Sequence, residues 1–228
     1  MYDAQVERWK TIEARATKRV GGAAALAKEL PVAKSAAALR RVADARWLAE
    51  MTRGVFQAGF VWRVIEAKWP GFEAAFDGFD PAKVARYSEN KLAELARDER
   101  IVRNPRKIRA TRDNAVFLRE LAAEHGSAAR FFADWPESDI VGLWELLRAR
   151  GSRLGGFTGQ FVLRHLGKDT PMMTDSVLRA LREQGVVEGK SASSRAAQRR
   201  VQEAFNGWRE QSGRALCELS KILALSVG

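Results

Sequence analysis

Apolar residues recur every three or four positions along most of the chain, the spacing of helices with one buried face. The clearest stretch is 42–58, where Ala43, Trp47, Leu48, Met51, Val55 and Ala58 share a face. Trp62 and Ile65 continue that stripe past a local break at Gly59. Two Ala- and charge-rich helices are predicted over 2–18 and 23–30, separated by Gly21-Gly22. Trp69-Pro70-Gly71 reads as a turn before a short helix through Phe72 and Phe76. Local capping chemistry then sets the starts. Asp80-Pro81, Ser88, Asn104-Pro105, Ser127, Ser138 and Thr174 each open a helix, and the one from Asn104 runs to His125 and is closed by Gly126. Gly151, Gly155 and Gly156 make a hairpin, followed by a helix to about His165 and a loop over 167–170. Two more helices fill 192–225. Neither a strand pattern nor an internal repeat is present, so the fold class is all-α.

Composition adds a partner class. The 228 residues carry 39 Lys+Arg against 28 Asp+Glu, a net charge of +11. Clustered cations gain affinity for polyanions by releasing condensed counterions. The basic residues gather at three places: Arg97 to Arg112, Arg148 to Arg153, and Lys190 to Arg200. Each group is a solvated face or a phosphate contact, and their position at helix ends and glycine loops favours phosphate. The single cysteine, Cys217, excludes an intrachain disulfide and fits a reducing, cytoplasmic setting. The charged N-terminus does not read as a secretion signal, and no apolar run is long enough to span a membrane.

Three ordered segments carry a resemblance. Phe56-Gln57-Ala58-Gly59-Phe60-Val61-Trp62 comes first. Phe76-Asp77-Gly78-Phe79-Asp80-Pro81-Ala82-Lys83-Val84-Ala85 follows. The third runs from Ile101-Val102-Arg103-Asn104-Pro105-Arg106-Lys107-Ile108 to Ala110 and Asn114-Ala115. Together they resemble the 3-methyladenine DNA glycosylase I family over about 45–125, with weaker similarity over 138–166. The resemblance implies a helix-hairpin-helix glycosylase fold of two helical lobes with a cleft between them. It implies a monofunctional enzyme that flips an alkylated purine such as 3-methyladenine out of double-stranded DNA and hydrolyses its glycosidic bond. A stacked base is unreachable, so such chemistry needs a wedge, an aromatic pocket and a phosphate grip. Trp62 matches the family's pocket tryptophan; from spacing alone it reads sooner as a core residue, an order that the resemblance reverses. Phe56, Gln57 and Phe60 surround it, with Phe60 either a wedge between base steps or part of the core. Arg103, Arg106, Lys107 and Arg109, with Gly155, Gly156 and Thr158 of the hairpin region, are the expected DNA contacts.

Two departures matter. Where the family has a pocket glutamate, this chain has Gly54, which removes a charge and is expected to leave room for a bulkier base. Glu50, one turn earlier on the same face, is one substitute. The other is Asp175, which resembles the aspartate that opens the helix after the hairpin in the wider superfamily and stabilises the sugar cation there. The competing reading of Asp175 is a plain first-turn carboxylate favoured by the helix dipole. The family's zinc is held by Cys and His; with only Cys217, His125 and His165 no zinc is expected here, and no other cofactor. A monomer is expected, with an N-terminal helical extension over 1–40 and a glycosylase-like domain over 41–228 whose hairpin region is 150–176. Two other functions stay open. One is a DNA-lesion or structure-binding protein without chemistry, the other a general nucleic-acid-binding helical protein.

Overall fold

The computed structural model describes residues 8–189 and 191–228. Among them are fifteen α-helices, two short 3-10 turns and no strand, so the fold is all-helical. In chain order the helices are α1 (Trp9–Val20), α2 (Ala23–Glu29), α3 (Ala36–Arg40), α4 (Asp44–Gln57), α5 (Trp62–Ala67), α6 (Trp69–Ala75), α7 (Pro81–Val84) and α8 (Glu89–Leu95). Then come α9 (Pro105–His125), α10 (Ala128–Asp134), α11 (Ile140–Arg150), α12 (Phe157–Leu166), α13 (Asp175–Glu183), α14 (Arg195–Ser212) and α15 (Leu216–Ser226). The part of the helix expected over 2–18 that precedes residue 8 lies outside the described residues.

The capping residues act as their chemistry requires. The side chains of Asp80, Ser88, Asn104, Ser127 and Thr174 accept from the backbone N–H of Ala82, Lys91, Lys107, Arg130 and Val177, satisfying donors that a helix start leaves over. Two expectations are corrected. Trp69-Pro70-Gly71 is no turn but the first turn of α6, where proline lacks nothing because that N–H has no helical partner. Ser138 lies inside a 3-10 turn over Glu137–Asp139, and α11 begins at Ile140 instead.

The described chain divides into two compact units. The first holds 8–34, 136–143 and 169–228. In it the two ends of the chain pack together, α1 against α15. The Trp9 and Trp208 rings lie 6.0 Å apart, Glu13 pairs with Arg214, and the Trp9 amide donates to Gln211. Asp169, 9% exposed, caps α15 by accepting from the amides of Leu216 and Cys217 at 3.0 and 2.8 Å.

The second unit holds 35–135 and 144–168. Its axis is α4, which buries Trp47, Leu48, Met51, Val55 and Phe56. Trp47 stacks on Phe132 at 4.2 Å. Phe56, Phe72, Phe76, Phe79 and Trp69 form one aromatic cluster. The ends of the sequence stripe are not core: Ala43 and Ala58 cap α4 and are exposed. Asp44 turns back to accept from the amides of Ala128 and Ala129 at the start of α10. No helix among the described residues is long and apolar enough to cross a membrane.

Candidate functional site

The second unit exposes several large apolar side chains. Phe60, Val61, Trp62, Val64 and Phe157 are all at least 38% exposed, far more than large apolar side chains that serve only a core. Their order follows from two elements. The loop after α4 delivers Phe60 and Val61, and α5 starts at Trp62. On α12, Phe157, Phe161 and His165 sit at four-residue intervals and share a face. Phe161 is buried and meets the others: the Trp62 ring edge-on at 5.2 Å, Phe157 at 6.4 Å and His165 at 3.9 Å. The result is three half-exposed rings, Phe157, Trp62 and His165, grouped around one buried ring.

Beside it lies a polar network. Glu50 is 3% exposed, an expensive place for a carboxylate unless it is paired. Its Oε1 pairs with Arg46 at 2.8 Å, while its Oε2 lies 3.6 Å from Arg53 Nε and 3.9 Å from His165 Nδ1 without a hydrogen bond. Arg53 Cζ lies over the Trp69 ring, 3.9 Å from its centroid, and the side chain pairs with Glu66. Glu66 Oε1 accepts from Gln57 Nε2 at 2.8 Å, and Gln57 Oε1 is buried with no donor. Burial pushes the His165 pKa down, with Arg53 and Arg164 acting the same way and the carboxylates of Glu50 and Glu66 opposing. His165 is therefore uncharged at neutral pH.

The Gly54 position is closed. A Cβ there would stand 3.0 Å from Val162 Cγ2, 3.4 Å from Thr158 Cγ2 and 3.7 Å from Phe161 Cδ1. The glycine is what lets α4 and α12 approach, and the expected room for a bulkier base is filled by these side chains. Phe56 is fully buried against Phe72. Thr158 turns its methyl towards Gly54.

The glycine hairpin precedes α12 and is fixed from behind. Asn114, fully buried, donates to Ser152 O at 3.1 Å and accepts from Ser152 N at 2.8 Å. Gly151 has no space for a Cβ, which would meet Leu147 O at 2.6 Å. Gly155 runs under the Arg148 side chain. Gly156 adopts φ 60°, ψ −135°, a region glycine alone occupies readily, and no side chain caps α12 behind it.

The basic residues named from sequence fall into different roles. Lys107 is 7% exposed, and its Nζ donates to Phe56 O at 3.0 Å and Ala58 O at 2.8 Å. It thus serves the carbonyl end of α4, where a cation is favoured; burial and then Arg153 lower its pKa. Arg109 forks onto Glu89, which Arg112 also grips. Arg103 reaches Glu99 only at 3.5 Å. Arg106, Arg148 and Arg153 are exposed and make no ion pair among the described residues.

Asp175 is the first residue of α13, in the other unit, exposed and unpaired among the described residues. Sequence reasoning passed over Glu66 and Phe157, and named Arg153 only within a basic group and His165 only among the few possible metal ligands. Glu66 had a legible signal, its position one helical turn after Trp62. Among the described residues no group of three or more His, Cys, Asp or Glu is placed to hold a metal ion, and Cys217 is buried with its thiol towards Pro31 O.

The methyladenine glycosylase family matches residues 40–146. Among solved structures, the chain is similar to a variant of 3-methyladenine DNA glycosylase I in complex with 3-methyladenine. Identity is 22%, coverage is 61% of this chain and 81% of that one, and the TM-score is 0.48. It is likewise similar to 3-methyladenine DNA glycosylase I from Staphylococcus aureus, at 24% identity, with 61% and 80% coverage and a TM-score of 0.47.

Proposed function

We propose that the chain, which the methyladenine glycosylase family matches over residues 40–146, is a monofunctional DNA glycosylase of base-excision repair. It takes double-stranded DNA with an alkylated purine such as 3-methyladenine, as a monomer in the cytoplasm. The observation that carries this reading is the exposed aromatic surface around Phe161, placed directly beside the hairpin that Asn114 pins. Trp62 stacks the extruded base and Phe60 fills the gap in the duplex. Gly155, Gly156 and the uncapped start of α12 offer backbone amides to a phosphate, with Arg106 and Arg153 as cations around it. A purine alkylated at N3 or N7 is already cationic and leaves readily, so the protein's work on it is selection and stabilisation of positive charge on the sugar. Asp175, exposed at the start of α13 and without an ion pair among the described residues, is assigned to the sugar cation on the resemblance alone; Glu50 is committed to Arg46 and serves the network behind the rings.

The test is single-turnover release of free methylated base from alkylated duplex DNA. Trp62→Ala should abolish discrimination between damaged and intact duplex. Asp175→Asn should slow release by about a hundredfold or more with binding intact, and release at the parent's rate would remove Asp175 from the chemistry. One observation favours a second reading, lesion binding without chemistry: the ground over Gly54 is occupied by Val162, Thr158 and Phe161. A parent protein that binds damaged duplex tightly yet frees no base would establish that reading.

A further inference from the structure

We propose that Lys107 is a positioning residue for Phe60: it latches the turn after α4 in the form that presents this exposed ring to the duplex. This rests on the reading of Phe60 as the group that fills the gap left by an extruded base. The turn spans Gln57 to Phe60 and is closed by the Phe60 amide, which donates to Gln57 O at 3.0 Å. Ala58 stands at φ −59°, ψ 114° and Gly59 at φ 67°, the angles of a type II turn. A type I turn joins the same ends, but there ψ of the second residue is about −30° and its carbonyl faces the other side. The choice between the two is therefore a choice of where Ala58 O points.

Lys107 makes that choice. It stands in the first turn of α9, and its Nζ donates to Ala58 O at 2.8 Å and to Phe56 O at 3.0 Å. The first bond exists only while the Ala58 carbonyl faces α9. The second ties the same ammonium to the last turn of α4. The Phe60 ring centroid lies 5.9 Å from Nζ, within reach of a cation–π attraction, so turn and ring share one anchor. Capping alone does not account for this arrangement. A cation can favour a helix C-terminus from the surface, whereas Lys107 is buried and has no ion pair among the described residues. Such burial costs stability, and what it secures is the direction of one peptide plane at the root of Phe60 and Val61, both exposed.

The first measurement uses the whole protein without DNA. In a type II turn the Ala58 Hα lies close to the Gly59 amide hydrogen, and in a type I turn the Ala58 amide hydrogen does, so the ratio of these two NOEs reads the turn. Lys107→Met should lower that ratio by about tenfold or more, the loss of a hydrogen bond from a charged donor. Gly59→Ala acts from the other side. Nothing lies within 4 Å of its Cβ, but an L residue is strained at that φ, so it should lower the ratio with Lys107 and the core untouched. The second measurement adds a duplex that carries an abasic-site analogue with 2-aminopurine opposite it, at saturating protein. The change in 2-aminopurine emission that Phe60→Ala removes is the insertion signal. Lys107→Met and Gly59→Ala should each lose it while the duplex stays bound, and Lys107→Met/Phe60→Ala should lose no more than Phe60→Ala alone. A parent that lacks the type II NOE, or a Lys107→Met protein that keeps either the NOE ratio or the insertion signal, overturns the inference. So does a parent whose emission change survives Phe60→Ala. Base release by the parent is measured separately, so failure here with intact release leaves the glycosylase reading standing.

Discussion

Restoring a glutamate at Gly54 should damage the protein, and the size of the damage follows from the approach of α4 and α12. Alanine is the first step. It gains about 1 kcal/mol of helix propensity over glycine, but its Cβ would stand 3.0 Å from Val162 Cγ2. Overpacking of that kind costs about 1–3 kcal/mol, so Gly54→Ala should lose roughly 0–2 kcal/mol net. Glutamate must also place a carboxylate among Val162 and Phe161, which are 1% and 5% exposed. With the charge penalty added, Gly54→Glu should lose on the order of 4 kcal/mol. For a chain of this size that lowers Tm by about 8–16 °C. The assay is thermal and urea unfolding followed by circular dichroism. A double-mutant cycle isolates the cause. Val162→Ala removes the methyl that the new Cβ meets, so Gly54→Ala and Val162→Ala together should cost about 1 kcal/mol less than their sum. A Gly54→Glu protein that melts with the parent, or a cycle with no coupling, would refute the close approach and reopen the position as a pocket.

The cations should separate into two classes. Arg106→Ala and Arg153→Ala should each flatten the salt dependence of DNA binding by about one unit of slope, whereas Lys107→Met should leave the slope unchanged and lower the melting temperature, since it strips Phe56 O and Ala58 O of their donor. Asn114→Ala should release the hairpin: exchange of the Ser152 amide should quicken in hydrogen-exchange measurements, and DNA affinity should fall with it. The Glu89 carboxyl is held down to about 2 from 4.5, chiefly by its hydrogen bonds to Arg109 and then Arg112. A folded-state pKa below the unfolded one means that these bonds stabilise the fold above the ordinary carboxylate range and lose their effect as pH falls towards about 2. NMR titration should show Glu89 returning to its ordinary value in Arg109→Ala/Arg112→Ala, and an unchanged titration would show that these arginines do not hold it.

Helix starts were legible because capping is local: Asn104, Ser88 and Thr174 each satisfy an amide within three residues. Trp69-Pro70-Gly71 misleads for the same local reason, since a proline that ends one helix also opens another. The site divides along that line. Trp62 and the hairpin glycines could be named from motif and spacing. The space at Gly54 could not, because Val162 and Thr158 fill it from more than a hundred positions away in the chain. Net charge misleads in the same manner. The run from Arg103 to Arg112 looks like one phosphate patch in sequence, yet Glu89 takes Arg109 and Arg112, and the end of α4 takes Lys107. Burial withdraws Lys107 from a footprint, because its two carbonyl contacts must be broken first, whereas the surface pairing of Arg109 with Glu89 competes with a phosphate only weakly. Arg106, Arg148 and Arg153 make no ion pair among the described residues, and two of them flank the glycines beside the exposed rings. Of the basic residues singled out in the sequence, those with no ion pair among the described residues are therefore the ones we assign to phosphate.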